Sequence, residues 1–478
     1  MKCISENGEG DHPLRAEGGK YDVIIVGAGP SGVFAASELC KHDGARVMII
    51  EKGPDITRRR CPAKSGGDCL RCDPCYLVNG FGGAGAFSDG KLTLSPEFGG
   101  SLAEYTGLPL LRELIDYIES MYLSWGEETV LYGTDLAAIE ELQRGAAAVG
   151  LKLIPARIRH LGTENCFKIL TRMYHQLRQK VEIRTREEVT EILTENGAVT
   201  GVKTGEGVCY KADYIICGPG RTGSEWFSEE IRRMGLEGTN NPVDIGVRVE
   251  VPSDVMEHIT SKIYESKLVY FSPSSDDRVR TFCMNPYGEV VTENNNGILT
   301  VNGHSYAAAR TKNTNFALLV SKMFTEPFNE PLRYGKNIAS LANMLGDGVI
   351  IQRLGDLLAG RRSTVERIER GLVNPTLDRA TPGDLSLVLP YRLLLSILEM
   401  LKALDRIAPG VNSSDTLLYG VEVKFYSFRL DLNPQLETGI KNLFAVGDGA
   451  GVTRGLIQAS ASGVVAAREI ERRILKAS

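Results

Sequence analysis

The chain has 478 residues, enough for two or three domains around a large core. With 55 basic against 60 acidic residues the net charge is −5, and no basic excess points to a nucleic-acid partner. Hydrophobic residues make up 42% and charged residues 24%, as in a soluble globular protein, and no apolar run of about 18 residues or more predicts a membrane-spanning helix.

Met1 to Lys20 is polar and glycine-rich, has no apolar segment of the signal-peptide kind, and is expected to be a flexible arm. Next comes a short β-branched run, Val23 to Val26, expected as a buried strand. Gly27, Gly29 and Gly32 follow in a G-x-G-x-x-G turn that contains Pro30 and Ser31, and helix formers continue through Leu39. A second strand, Arg46 to Ile50, ends at Glu51, with Lys52 beside it. Gly27 suits a tight turn, Gly29 close approach to a pyrophosphate, and Gly32 packing of the helix on the strand. The helix N-terminus offers free N–H groups to phosphates, and Glu51 can accept hydrogen bonds from ribose hydroxyls. Strand, turn, helix and acid together indicate a dinucleotide site.

From Arg58 the chain turns basic and cysteine-rich, over residues 58–78. Arg59, inside the run Arg58 to Arg60, is a candidate to neutralise the pyrophosphate; a solvated charge run is the alternative. Four of the ten cysteines lie here, which fits a reducing cytoplasm and a local cluster better than a secreted disulfide framework. Cys69, Cys72 and Cys75 are spaced like a bacterial ferredoxin loop, and Cys61 precedes a proline. Four thiolates suit an iron–sulfur cluster or zinc, with unligated thiols or a redox pair as the alternatives. The stretch GFGGAGAFSDGKL, residues 80–92, is too glycine-rich for a helix or a packed strand. It is expected to run Gly82, Gly83, Ala84, Gly85 and Ser88 against something flat or charged.

Helices are expected over Leu110–Trp125, Thr134–Val149 and Asn165–Arg178 by apolar periodicity. Residues 185–217 read as a small antiparallel meander, with turns at Asn196-Gly197 and Gly205-Glu206-Gly207. Its last strand runs into Gly218, Gly220 and Gly223, a second glycine turn. Arg221 within it suggests a 2′-phosphate partner, but no acid closes a strand about 20 residues on. The turn is therefore expected to support the first cofactor. Residues 243–409 read as an inserted α+β substrate domain. Strands are expected at Val243–Val251, Val279–Met284, Val290–Val291 and Gly297–Val301, and helices at Ala317–Phe324, Pro331–Leu345 and Arg392–Leu404. The acid–base and binding candidates here are His304 in a polar turn, Arg280 as a clamp for an anionic substrate, Cys283 and Tyr287. Residues 21–242 and 410–478 then form the cofactor domain, after the arm 1–20. Its last part is a strand, Asn442–Val446, the turn Gly447-Asp448-Gly449, and a helix from Leu456.

Three segments together carry a resemblance: VGAGPSG with Glu51, the meander ending in ICGPGRTG, and the late LFAVGDGAG. They resemble the FAD-binding fold of the glutathione-reductase type, an α/β Rossmann domain with a central parallel sheet and a small β-meander. The resemblance implies that Gly447 and Asp448 serve the ribityl chain. It also implies that the helix N-terminus, from about Gly451 through Gly455 to Ile457, points at the flavin ring. Lys91 would stabilise charge at the ring's edge or be a surface lysine. More narrowly, GFGGAGAFSDGKL, CGPGRTGSEWF and GDGAGVTRGLIQASASG resemble a group known as FAD-dependent dehydrogenases, largely uncharacterised NAD(P)/FAD-dependent oxidoreductases.

What the resemblance implies is an FAD-dependent oxidoreductase acting by hydride transfer on a small organic substrate, fed by transiently docked NAD(P)H or by an iron–sulfur cluster. Disulfide reductases of that fold carry a redox cysteine pair beside the flavin; Ala84, Ala86 and Ser88 stand here, so that chemistry is not expected. The alternatives are an electron-transfer flavoprotein with a redox partner protein, a flavin monooxygenase, and a flavin-containing RNA-modification or assembly factor. The acidic balance counts against the last.

Overall fold

The computed structural model describes residues 19–477 except 42–43, 62–69, 71, 89, 127–128, 296, 306–309 and 426–427. Most of the expected N-terminal arm, and Cys69, lie outside the described residues.

The first sheet starts with Lys20–Val26, whose Val23, Ile24 and Ile25 are fully buried. Strands buried on both faces read as continuous apolar runs, as this one does. It pairs in parallel with Val47–Glu51 on one side and Cys209–Cys217 on the other. Glu182–Thr185 and Leu443–Ala445 extend the parallel set outward. The register sets Val26 beside Ile50 and Cys217, and Cys217 beside Ala445. The strands therefore end along one edge, where ligands of such sheets bind. Val189–Glu195 and Ala198–Thr204 complete the antiparallel meander, turning at Asn196 and Gly197, both with positive φ (51° and 76°). The helices Pro30–Leu39 and Leu456–Ala477 pack against each other. At Gly463 a Cβ would stand 2.0 Å from the Ser31 carbonyl oxygen, so only glycine permits the approach.

The second sheet has eight strands, with Val243–Pro252 between Asn313–Lys322 and Leu417–Lys424. Alternation along the central strand separates two buried faces. Val243, Ile245, Val247, Val249 and Val251 join an apolar core with the helices Ser253–Ile263, Pro331–Gly346 and Tyr391–Asp405. Asp244, Arg248 and Glu250 occupy the other face, equally buried. The hairpin Glu289–Asn295 and Ile298–His304 packs over that polar face. At its centre Arg248 donates to both oxygens of Glu422, at 2.8 and 2.9 Å, with neither side chain exposed. Arg248 also donates to Asn315 Oδ1 at 2.7 Å and to the Cys283 carbonyl at 3.1 Å.

Four expectations are corrected. Ala317–Phe324 is not a helix: Asn313–Lys322 is a strand, because a short apolar run buried on both faces satisfies either period. The second sheet reaches past residues 243–409. It takes in Leu417–Lys424 and, at its edge, Lys152–Ile154, while the helix Leu136–Ala147 packs on the same core. His304 ends a strand rather than lying in a turn. The glycine-rich stretch contains a 3₁₀ turn, Gly83–Phe87, and a short strand, Lys91–Thr93.

Arg248→Ala leaves the Glu422 charge buried with its main partner gone. Urea denaturation should show a loss of about 3–5 kcal/mol. A loss of only a few tenths would mean that Lys424, 3.0 Å from Glu422, is partner enough for the buried carboxylate.

Candidate active site

The strand ends open into a cavity of about 1360 Å³, lined from both sheets. Gly27 turns with φ 94°, and a Cβ on it would lie 2.3 Å from the Gly218 carbonyl oxygen. The second glycine turn thus packs directly on the first, and Gly218 N donates to the Val26 carbonyl at 2.8 Å. A Cβ on Gly32 would meet the Gly27 oxygen at 2.0 Å. Gly29 differs: a Cβ there meets nothing within 4 Å, and no side chain caps the helix that begins at Pro30. Uncapped helix N–H groups facing open space fit a pyrophosphate. Pro30, Ser31, Lys52, Gly83, Ala84, Gly85, Ser88 and Gly220 also line the cavity.

Glu51 is 7% exposed. It accepts from three backbone N–H groups: Ala28 at 2.9 Å, Gly53 at 2.8 Å and Gly80 at 2.9 Å. A carboxylate has about four lone-pair sites, so about one is left toward a ribose. Its first task is to tie the glycine turn to the loop at Gly80.

Arg59, expected at the phosphates, is turned away from the cavity. It is 2% exposed and donates to the carbonyls of Tyr76, Leu77, Phe81 and Gly83 at 2.7–3.0 Å, with its guanidinium 4.9 Å from the Phe87 ring centroid. Burial lowers its pKa to about 10. Gly82 likewise packs inward and donates to the Ala28 carbonyl at 2.7 Å. Gly447 shapes its turn without lining the cavity, donating to Ser462 Oγ at 3.0 Å. Gly451 packs on Phe428 and Arg429, and Ile457 is buried beside a second cavity; Arg454, Gly455 and Leu456 line the large one instead.

Asp448 projects into the cavity and accepts from Thr453 Oγ1 at 2.8 Å. Burial pushes its carboxyl above the usual range, against the pull of Arg221 and Thr453. Arg221 stands 3.8 Å from Asp448 and 3.9 Å from Glu293, so it spans the two units. Glu293 lies 3.8 Å from Lys424 Nζ and accepts from Asn302 at 3.1 Å. Burial raises its pKa, but Lys424, Arg221 and His304 outweigh this and hold it below the ordinary range. Lys424 is in turn 3.0 Å from Glu422. Sequence reading missed Glu293 and Lys424. For Lys424 the signal was present in GVEVK, where charges recur inside an apolar strand, whereas Glu293 lies in the mostly polar strand Glu289–Asn295, which carries no such signal.

His304 and Lys91 line the same cavity. Lys91 is not a surface lysine: 7% exposed, it donates to the Met284 carbonyl and to Asn285 Oδ1, and its ammonium lies 3.6 Å from Glu265. Arg280 lies outside this cavity, paired with Asp244 at 2.6 Å, on the wall of the second one. Cys283 is a cavity wall residue, whereas Tyr287 points away and donates to Glu257 at 2.6 Å. Cys61, Cys72 and Cys75 also line the large cavity. Among the described residues no group of three or more His, Cys, Asp or Glu is placed to hold a metal, and no helix is long and apolar enough to cross a membrane.

Residues 242–425 match the family described as FAD-dependent protein, C-terminal domain-like, and residues 25–70 match the NAD(P)-binding Rossmann-like domain. An uncharacterized protein of Clostridium beijerinckii is 28% identical over 473 residues, covering 94% of this chain and 80% of that protein. Similar solved structures include L-proline dehydrogenase from P. horikoshii (14% identity, 95% of this chain and 94% of that one, TM-score 0.42). Another is glycine oxidase from Geobacillus kaustophilus (14%, 95% and 95%, TM-score 0.39). Structural likeness at this level says nothing of the substrate. The sequence matches place the chain in the class of Rossmann-fold flavoenzymes. It is a flavin-dependent oxidoreductase.

Glu51→Gln should cost FAD-free protein about 1.5–3 kcal/mol in urea denaturation, because charge-assisted bonds to the loop are lost. Weaker FAD binding with unchanged stability would show that the carboxylate serves the ribose rather than the loop.

Proposed function

We propose that FAD lies extended in the large cavity on a cofactor unit of the glutathione-reductase type. Its ADP would rest along Gly27 to Ser31 and Glu51, and its ring end between Asp448, Leu456 and the polar face of the second sheet. The observation that carries this reading is the open cradle at Gly29, on the same edge as Glu51, Gly218 and Asp448. FAD, when bound, supplies the acceptor or donor of hydride. The chain's own residues handle the proton. Oxidation of a C–C or C–N bond releases one hydride and one proton, and Glu293, held ionised by Lys424 and Arg221, is the base placed to take that proton. Its Glu293→Gln variant should retain FAD but be reduced by substrate about 10²–10⁴-fold more slowly in anaerobic stopped flow.

Gly218 is spent on packing against Gly27, which supports transient rather than resident docking of NAD(P)H as the reductant. A second reading rests on the cysteines. Cys61, Cys72 and Cys75 line the cavity beside Asn79 but, among the described residues, are not grouped to hold a metal, so a cluster feeding electrons to FAD would require this loop to rearrange around it together with Cys69. Iron and acid-labile sulfide in anaerobically purified protein would support it; protein free of iron with full FAD would remove it.

The cofactor assignment has a sharp test. Gly29 has φ −71° and empty space around its Cβ position, so Gly29→Val should fold as the parent does. The added side chain would occupy the phosphate cradle and weaken FAD binding about tenfold or more, equivalent to about 1.4 kcal/mol. Full FAD occupancy in that variant would move the cofactor elsewhere.

A further inference from the structure

Beside the large cavity lies a second one of about 290 Å³, and the two share a wall formed by Lys91, Thr93, Lys267, Phe282 and the segment Arg454–Leu456. Its lining carries five cations: Lys91, Lys267, Arg278, Arg280 and Arg454. One carboxylate, Glu97, lines it at an exposed position. Two more stand behind the wall. Glu265 lies between Lys91 and Lys267, and Asp244 pairs with Arg280. Arg454 also acts on Asp448 and donates to Asn241 Oδ1 at 3.4 Å, and among the residues that line this small cavity the cations outnumber the carboxylates. The last helix, 22 residues long, begins at Leu456 on the same wall, and its N-terminal dipole adds to the positive potential.

The remaining surface is hydrocarbon on one side, with Thr93, Thr281 and Gln458 also in the lining. Phe282 is flanked by Arg280 at 4.7 Å and Lys267 at 5.4 Å, measured to the ring centroid, and Phe98 has Lys267 at 5.3 Å. Ile154 and Leu268 complete this side. The loop carrying Phe98 is held in place by Gln458, whose amide donates to the Phe98 carbonyl at 2.6 Å and whose oxygen accepts from Leu102 N at 3.3 Å. Fixed cations over an apolar floor suit an anionic head on a short hydrocarbon body, because each part then keeps a partner when it leaves water.

We propose that this cavity binds a small organic carboxylate, the acid group of the oxidoreductase's own substrate, with the rest of the molecule reaching across the shared wall. The inference rests on the flavin reading above. Arg280 and Arg454 hold the carboxylate, and Lys267 with Phe282 borders the passage to the large cavity.

The test uses benzoate as probe, with benzamide as its uncharged isostere and sulfate at matched ionic strength as an inorganic anion. FAD-loaded protein is titrated calorimetrically and by flavin absorbance. Saturable benzoate binding that perturbs the flavin spectrum, absent with benzamide and weakened about tenfold or more in Arg454→Gln, is the expected result. Arg280→Gln should act likewise, but it also uncovers buried Asp244, so Arg454→Gln carries the test if that variant fails to fold. Equal binding of benzamide, equal binding of sulfate, no binding at all, or binding without a flavin perturbation would each overturn the proposal. Flavin released on denaturation is measured in every sample. Loss of FAD, which counts against the cofactor reading, is thereby told apart from loss of benzoate binding by loaded protein.

Discussion

The contact between Gly27 and Gly218 is the constraint on which the rest of the molecule depends. Two chain turns meet with no room for a Cβ, and this holds the ends of neighbouring parallel strands level. Because the ends are level, the loops after Val26, Ile50 and Cys217 open on one edge, and the strand at Ala445 adds Asp448 to it. A side chain at Gly27 would push the turns apart and spread these groups over separate surfaces, and one at Gly218 would meet Ser31 Oγ at 2.8 Å. Glu51 works to the same end, since its three backbone hydrogen bonds fasten the first turn to the glycine-rich loop.

The second sheet meets that edge with a face that is both charged and buried. Such a face is stable only if each polar group has a partner: Arg248–Glu422 and Arg280–Asp244 pair as ions, and Glu250 accepts from Asn313, Thr376 and Tyr419. Glu293 and Lys424 extend the network to the cavity surface, where Arg221 joins it to Asp448 on the cofactor unit. The same pairing that lets the sheet fold also delivers an ionised carboxylate and a set of cations to the wall of the large cavity. Structure and chemistry share one device, and no separate catalytic loop is needed to bring the charges in.

Local pattern made the cofactor half of the protein legible. The run VIIVGAGPSG states a strand, a turn and a helix in ten residues, and the structure ends the strand at Val26 and the helix at Leu39 as expected, with the strand starting three residues earlier, at Lys20. The same holds for the meander, because Asn196-Gly197 allows positive φ at both turn positions. Legibility failed where a residue type has two uses. Arg59 looked like a phosphate ligand and is a buried clamp on four carbonyls. Ala317 to Phe324 fits a helix as well as a strand, and only the neighbours Val243–Pro252 and Arg278–Asn285 choose between them.

What the sequence determined by itself is the cofactor class and the path of the chain around it. These follow from short-range sterics and hydrogen bonding among residues close in number. What only the tertiary structure decided is the chemistry opposite the cofactor. Arg221, Glu293, Lys424, Lys91 and Arg280 come from distant segments; the sequence offered three of them as separate candidates and passed over Glu293 and Lys424, and nothing in it joins them. Their meaning arises when burial removes water and forces every charge to find its partner across the fold.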